Sequence, residues 1–192
     1  MVAFESALER DLATLLEFDP DVLSYASQPV EISYEHEGEV RSGFPDFLVR
    51  YHSDAGEWGL LCDVKFREEL FCKWPELKPR LRGAMAHARS SGLRYHIFTE
   101  VEIRTPFLKN ARFLLPYRDR HFDRADEELL LRTLESLVVS TPRALLRACA
   151  ANLGTQALLL PCLWSLIARG AIAANLNVKL TMESEIKCPQ AA

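Results

Sequence analysis

The sequence predicts a mixed α/β core followed by a smaller helical domain, and three observations carry that prediction. Residues 4–18 place apolar side chains at helical spacing. Between residues 28 and 64, short apolar runs alternate with turn residues, as strands do. After about Tyr117 the composition shifts to charged and helical segments opened by capping residues. A chain of 192 residues is long enough for one full core and a small second one. The expected division is 1–118 and 119–192.

The first helix runs from Phe4 to Phe18, with Ala7, Leu8, Asp11, Leu12, Leu15 and Leu16 forming its stripe and Asp11 off the stripe's centre. Glu5, Glu9, Arg10 and Glu17 fall mostly on the other sides. Asp19-Pro20 ends it, because a residue before proline leaves the helical region. Val22 to Tyr25 reads as a short link. Gln28 to Tyr34 alternates around Val30, Ile32 and Tyr34 and reads as a strand, and Glu35 to Ser42 as a charged turn around Gly38.

Phe44 to Lys65, FPDFLVRYHSDAGEWGLLCDVK, reads as a hairpin closed at Ser53-Asp54-Ala55-Gly56. Strand side chains alternate, so Asp63 and Lys65 share a face while Val64 points into the core. Closing the hairpin brings Asp46 near Asp63. Two carboxylates and an ammonium on one face are costly unless a cation or a phosphate joins them. Phe66 to Lys78 looks irregular. Pro79 to Ser91 reads as a helix with Leu81, Ala84, Met85 and Ala88 on one face, ended by Gly92, and Leu93 to Thr99 as the next strand.

In the second domain, Asp123 with Asp126, Glu127 and Glu128 marks a helix start, with Leu129 to Val139 as its body. Thr141-Pro142 caps a second helix. A third runs from Gly154-Thr155 to Gly170, bent or divided at Pro161. Residues 171–180 read as a ribbon about Asn175-Leu176-Asn177. Three helices and a ribbon resemble a winged helix. The third helix holds almost no base-reading side chain, Arg169 being its one charge. That composition favours a protein-docking domain over a sequence-specific DNA reader.

Composition narrows the classes. Net charge is -4, so there is no overall basic signal for nucleic acid, though a local basic face remains open. Cys62, Cys72, Cys149, Cys162 and Cys188 are odd in number and form no CxxC pair, which fits reduced thiols rather than a disulfide frame or a zinc site. Their compartment is then expected to be cytoplasmic. Met1 to Phe4 leads into the first helix without a leader pattern. The most apolar window, Gln156 to Ala174, is broken by Pro161, Arg169 and Gly170, so no membrane span is expected. His36, His52, His87, His96 and His121 show no metal-ligand spacing, and His96, within a strand, is the one to look for near a site.

Pro45-Asp46, then sixteen residues, then Asp63-Val64-Lys65 match the PD-(D/E)xK nuclease pattern. Its context strengthens it: an acid-bearing helix upstream, a hairpin at the motif, then a helix and a strand. Phosphodiester hydrolysis needs an activated water and a stabilised leaving oxygen. A hard Mg²⁺ ion, with Mn²⁺ as substitute, suits carboxylate and carbonyl ligands. Glu9, Asp46, Asp63 and the carbonyl of Val64 are the candidate ligands. Glu9, Asp46, Asp63 and Lys65 are the candidate catalytic residues, with Lys65 stabilising charge on phosphorus or positioning the water. Lys65, Arg67, Lys73, Lys78, Arg80, Arg82 and Arg89 follow in a cluster that could line the phosphate path, with Trp74 packing beside them.

Beyond that pattern, Glu5-Ser-Ala-Leu-Glu9-Arg-Asp-Leu with Leu16-Glu-Phe-Asp-Pro20 resembles the opening of the TnsA family, the endonuclease subunits of heteromeric bacterial transposases. Gln28-Pro29, Phe44-Pro-Asp-Phe-Leu-Val49, Asp63-Val-Lys65 and Thr99-Glu-Val-Glu-Ile-Arg104 continue the resemblance in order. Leu160 to Gly170 and Thr181-Met-Glu-Ser-Glu185 carry it almost to the end. The resemblance implies a restriction-endonuclease-like core with a C-terminal winged-helix-like domain. It implies cutting of the transposon's 5′ ends, beside a TnsB-type subunit that cuts and joins the 3′ ends, under a TnsC-type ATPase regulator. The family's helix acid maps to Glu9, its metal-binding aspartate to Asp46 and its lysine to Lys65. The middle acid maps to Asp63, where some members carry glutamine. No counterpart of the N-terminal extension of longer members is expected ahead of Glu9. The competing readings are a restriction or junction-resolving nuclease that cuts alone, and a non-catalytic assembly module on the same fold. The four intact motif residues argue against the last.

Overall fold

The computed structural model describes residues 6–189, so the helix start expected at Phe4 lies outside the described residues. The chain divides into two compact units, Met1–Arg104 and Thr105–Ala192. This division falls earlier than the expected one after Arg118. The helix just before that point joins the second unit because it packs against the unit's longest helix.

In the first unit, α1 (Ala7–Phe18) starts at Ser6, whose hydroxyl accepts the Glu9 N–H at 3.1 Å, and ends at Asp19. Leu8, Leu12 and Leu16 are buried as the spacing predicts. The buried face is wider than the predicted stripe, since α1 packs against two neighbouring elements, and Glu9 falls inside it. Asp11 is buried as well, and accepts a hydrogen bond from Arg104 Nε at 2.8 Å.

Next come β1 (Val22–Ser27), β2 (Ile32–His36), β3 (Glu39–Gly43), β4 (Phe47–Tyr51) and β5 (Trp58–Val64). The expected link at Val22 is thus a strand, and it forms one edge of the main sheet. The strand expected from Gln28 begins at Ile32 and leaves that sheet: β2 pairs with β3 in a separate hairpin. Glu37 and Gly38 make its turn, both at positive φ, as a tight hairpin requires. The 35–42 segment is therefore mostly strand. Its exposed residues give no apolar alternation from which to read it.

After β5 come α2 (Arg67–Cys72), α3 (Trp74–Ser90), β6 (Arg94–Phe98) and α4 (Glu100–Ile103). The 66–78 segment is helical rather than irregular. Pro75 suits the first turn of α3. Pro79 lies one turn further in, where the acceptor it leaves free, the Pro75 carbonyl, belongs to an exposed residue. Leu81, Ala84 and Ala88 face inward and Met85 outward. Gly83 lets α3 approach β2, because a Cβ there would stand 2.9 Å from Cβ of Tyr34.

The main sheet has the order β1-β4-β5-β6. β4 is antiparallel to both β1 and β5, and β6 is parallel to β5. Phe47, Val49, Leu61 and Cys62 are fully buried in its centre.

The second unit contains α5 (Pro106–Arg118), α6 (Arg124–Leu137), β7 (Val139–Ser140), α7 (Pro142–Cys149), α8 (Leu153–Ala168), β8 (Ala173–Ala174) and β9 (Ile186–Lys187). Three side chains cap its helices as the sequence predicts or nearly so. Asp123 accepts from Ala125 N–H, Thr141 from Ala144 N–H, and Asn152 from Thr155 N–H. Pro161 leaves α8 a single helix. The strands form a small sheet of order β7-β9-β8, so the ribbon opens wider than expected, with residues 175–185 between β8 and β9. Asn110 of α5 ties that stretch down: its amide donates to the Leu176 and Val178 carbonyls and accepts the Leu180 N–H. The apolar residues of α8 mostly fill this unit's own core. Leu159, Cys162, Leu163, Leu166 and Ile167 are buried, while Leu153 and Leu158 face outward. The lack of charge on that helix thus reflects burial more than a docking face.

Candidate active site

The β4–β5 hairpin positions the motif. Its register pairs Phe47 with Cys62, so one further step sets Asp46 opposite Asp63. The turn closes through paired hydrogen bonds between Ser53 and Gly56, with Gly56 at φ 108°. At the other end, the Lys65 N–H donates to the Phe98 carbonyl at 3.0 Å, which fixes the chain as it leaves β5.

Asp46, Val64 and Lys65 meet at one point. Asp46 Oδ2 accepts the Val64 N–H at 2.6 Å and the Lys65 ammonium at 3.1 Å. The same ammonium donates to the Val64 carbonyl at 3.0 Å. Side-chain exposure is 13% for Asp46 and 16% for Lys65, so solvent reaches the group without flooding it. Burial raises the Asp46 carboxyl above its ordinary value. The Lys65 charge opposes that shift, and the neighbouring Asp63 adds to it.

Asp63 has a different environment. It is 0% exposed. Its Oδ1 accepts from Arg80 Nη2 and its Oδ2 from the Tyr95 hydroxyl, both at 2.6 Å. Arg80 Nη1 also donates to the Phe44 carbonyl at 2.9 Å. Burial would lower the Arg80 pKa, but the Asp63 carboxylate outweighs it and the net shift is upward. Tyr95 is raised too, first by burial and then by Asp63. Arg80, expected on the phosphate path, is therefore committed inside the unit.

Glu9 is 8% exposed on the inward side of α1. Among the described residues, however, no three His, Cys, Asp or Glu side chains gather at metal-holding distance. The structure does not draw Glu9, Asp46 and Asp63 into one cluster. The oxygens that do converge, the Asp46 carboxylate and the Val64 carbonyl, are hard donors that already share a cationic neighbour. Such a pair fits Mg²⁺, which is commonly held by one or two carboxylates and completes its shell with waters and phosphate oxygens. A site built on all three acids does not fit the contacts of Asp63.

The remaining basic residues separate by exposure. Arg67 and Lys73 are exposed at the two ends of α2, and the Arg67 N–H donates to Glu100 Oε2 at 2.9 Å. Lys78, Arg82 and Arg89 follow one face of α3, about a quarter turn round from the buried Leu81, Ala84 and Ala88. Arg67, Leu70, Phe71, Trp74, Thr99, Val101 and Glu102 line an open cleft of about 600 Å³ past the ends of β5 and β6. Trp74 thus lines a cleft rather than a core. α2 has no buried residue, and its Phe71 is 86% exposed. His96 bonds Glu102 at 2.8 Å instead of joining the motif residues.

Two site residues escape sequence reasoning. Tyr95 alternates into its strand like any aromatic, and Arg80 sits in a basic run that suggests phosphate contact. No local signal separates them. The Asp11–Arg104 pair was better signposted, since an acid within an apolar stripe needs a partner.

A mixed sheet flanked by helices, with a hairpin carrying Asp46 and Lys65, defines an α/β nuclease-like core. Residues 19–100 match the TnsA-like endonuclease N-terminal family. The resemblance read from the motifs is borne out over this stretch. It covers all four strands of the main sheet and the whole of Asp46–Lys65. Glu9 lies before it and the second unit after it. No curated protein matches the chain. Among the described residues, no helix is long and apolar enough to cross a membrane.

Proposed function

We propose that the chain is a Mg²⁺-dependent DNA endonuclease that cuts the 5′ ends of a transposon as the TnsA-type subunit of a heteromeric transposase. The observation that carries this reading is the convergence of the Asp46 carboxylate, the Val64 carbonyl and the Lys65 ammonium within a TnsA-like domain. Asp46 and Val64 would hold the ion, with Glu9 supplied by α1. The ion would add Lewis-acid charge at the scissile phosphate. Lys65 is held where its ammonium can turn from Asp46 to a phosphate oxygen and stabilise the negative charge that develops there. Arg67, Lys73, Lys78 and Arg82 present exposed or half-exposed cations for the DNA backbone, which positions the duplex without reading sequence.

Within the second unit, the run α6-β7-α7-α8-β8-β9 suits a winged-helix-like domain, with α5 preceding it. With α8 largely buried, that domain is better suited to docking a TnsB-type or TnsC-type partner than to entering a groove. Leu153 and Leu158 offer it an outward apolar face. The setting is the bacterial cytoplasm, on transposon-end DNA.

The test is transposition with both partners and end-bearing DNA, using Asp46→Ala and Lys65→Ala. Loss of 5′ cutting with continued 3′ joining, leaving cointegrates, is expected. Normal excision of both strands by the variants would overturn the assignment. Efficient cutting by the chain alone would favour a free-standing nuclease.

A further inference from the structure

Asp63 occupies the motif position from which a second acid would reach a metal, yet both its oxygens already accept hydrogen bonds from partly buried partners. Each oxygen has a short hydrogen bond, one from the Arg80 guanidinium and one from the Tyr95 hydroxyl. Arg80 is itself largely buried, with a side-chain exposure of 15%. Turning Asp63 to a cation would leave that guanidinium without a counter-charge away from water, which is costly.

The same guanidinium spans two acceptors. One nitrogen reaches Asp63 on β5 and the other reaches the Phe44 carbonyl, two residues before Asp46. Only a planar, forked cation holds two such acceptors at fixed geometry. Its stem passes over Gly43, where a Cβ would stand 3.1 Å from Arg80 Cδ, so the absent side chain keeps that route open. The Asp46 segment is fastened from other sides too. Its carbonyl accepts the Gln28 N–H, and its carboxylate accepts the Val64 N–H.

We propose that Asp63 is a positioning residue and not a metal ligand: with Arg80 it locks the Phe44–Asp46 segment against β5, so that Asp46 faces the ion. This rests on the nuclease reading above. It gives the two acids of the motif different tasks, one toward the ion and one toward the scaffold.

The unaltered chain, labelled with ¹⁵N and with ¹³C in its aspartates, is titrated with Mg²⁺ and followed by NMR. The expected result is that the Asp46 carboxyl and the Val64 amide shift, while the Asp63 carboxyl and the Arg80 side-chain signals stay in place. An Asp63 carboxyl that moves with Asp46, together with release of Arg80, overturns the proposal. A second arm uses the paired variant Asp63→Asn with Arg80→Met, which removes both buried charges and avoids leaving one unpaired. There, hydrogen exchange at the Val64 and Gln28 amides should quicken by about tenfold. The Mg²⁺ midpoint read at Asp46 should rise by about tenfold, as when a group supporting a metal ligand is lost. Unchanged exchange and an unchanged midpoint refute the lock. If Mg²⁺ moves neither carboxyl in the unaltered chain, the metal-dependent reading fails, and the exchange arm still decides whether Arg80 and Asp63 hold the segment.

Discussion

The two units bury different kinds of polar group. The first encloses charge: Asp63 with Arg80, Asp11 beneath an exposed Arg104, and the nearly buried Asp46 with Lys65. The second encloses neutral groups, Asn110 and Ser165, beneath a core of leucines from α6, α7 and α8. A hydrophobic core and good caps suffice to stabilise a small helical unit. Buried ion pairs add little to stability against apolar replacements of the same shape, so their presence calls for another reason. On the nuclease reading proposed above, that reason in the first unit is to keep charged side chains fixed where they act.

Substitutions can sharpen or break this contrast. The largest effect is expected at Asp46. Asp46→Ala should lower end cleavage by about 10³-fold with an unchanged circular dichroism spectrum. A similar loss of stability would mean that the residue is structural after all. Asp63→Asn should cost about 3–5 kcal/mol in urea denaturation, because it leaves Arg80 buried and unpaired. Adding Arg80→Met should recover most of that. In the second unit, Leu163→Ala should cost about 2–5 kcal/mol by opening a cavity in a site with no exposed surface. Thr141→Ala removes the cap of α7 and should cost about 1 kcal/mol.

The smallest effect is expected at Glu102. Burial would raise its carboxyl, but the His96 and Thr99 hydrogen bonds outweigh that and hold it below its ordinary 4.5. A depressed acid contributes stability above its unfolded value and loses it as pH falls through the folded one. Glu102→Gln should therefore lower the melting temperature slightly at neutral pH and match the parent in strong acid. An offset that persists in strong acid would show that charge is not the cause.

In the second unit α6, α7 and α8 were legible because their signals are local, whereas α5 was not read. Asp123 and Thr141 cap what they appear to cap. The β4–β5 hairpin was legible because Leu60 to Val64 is continuously apolar around one acid. β1 and β3 were not, because their residues are exposed or half-exposed and their strand identity comes from pairing, β1 with β4 and β3 with β2. The early start of α3 was hidden by Pro79, whose rule against helix interiors weakens near an exposed first turn. Glu9 read as outward because periodicity sees one stripe, whereas α1 is covered over a broader arc. The site divides in the same way. Asp46 and Lys65 follow from hairpin geometry, but the partners of Asp63 come from α3 and β6, and no spacing rule connects them.

The exposed helix α2 has a practical consequence in thiol chemistry. The thiolate is the reactive form of cysteine, and burial together with the Asp63 and Asp46 charges pushes the Cys62 thiol far up and silences it. Cys162 is pushed up to about 12. Cys72, at the end of α2, is exposed. A maleimide dye should therefore attach there ahead of the buried thiols, beside the cleft past β5. That gives the unaltered sequence a native handle for watching what arrives at Lys65.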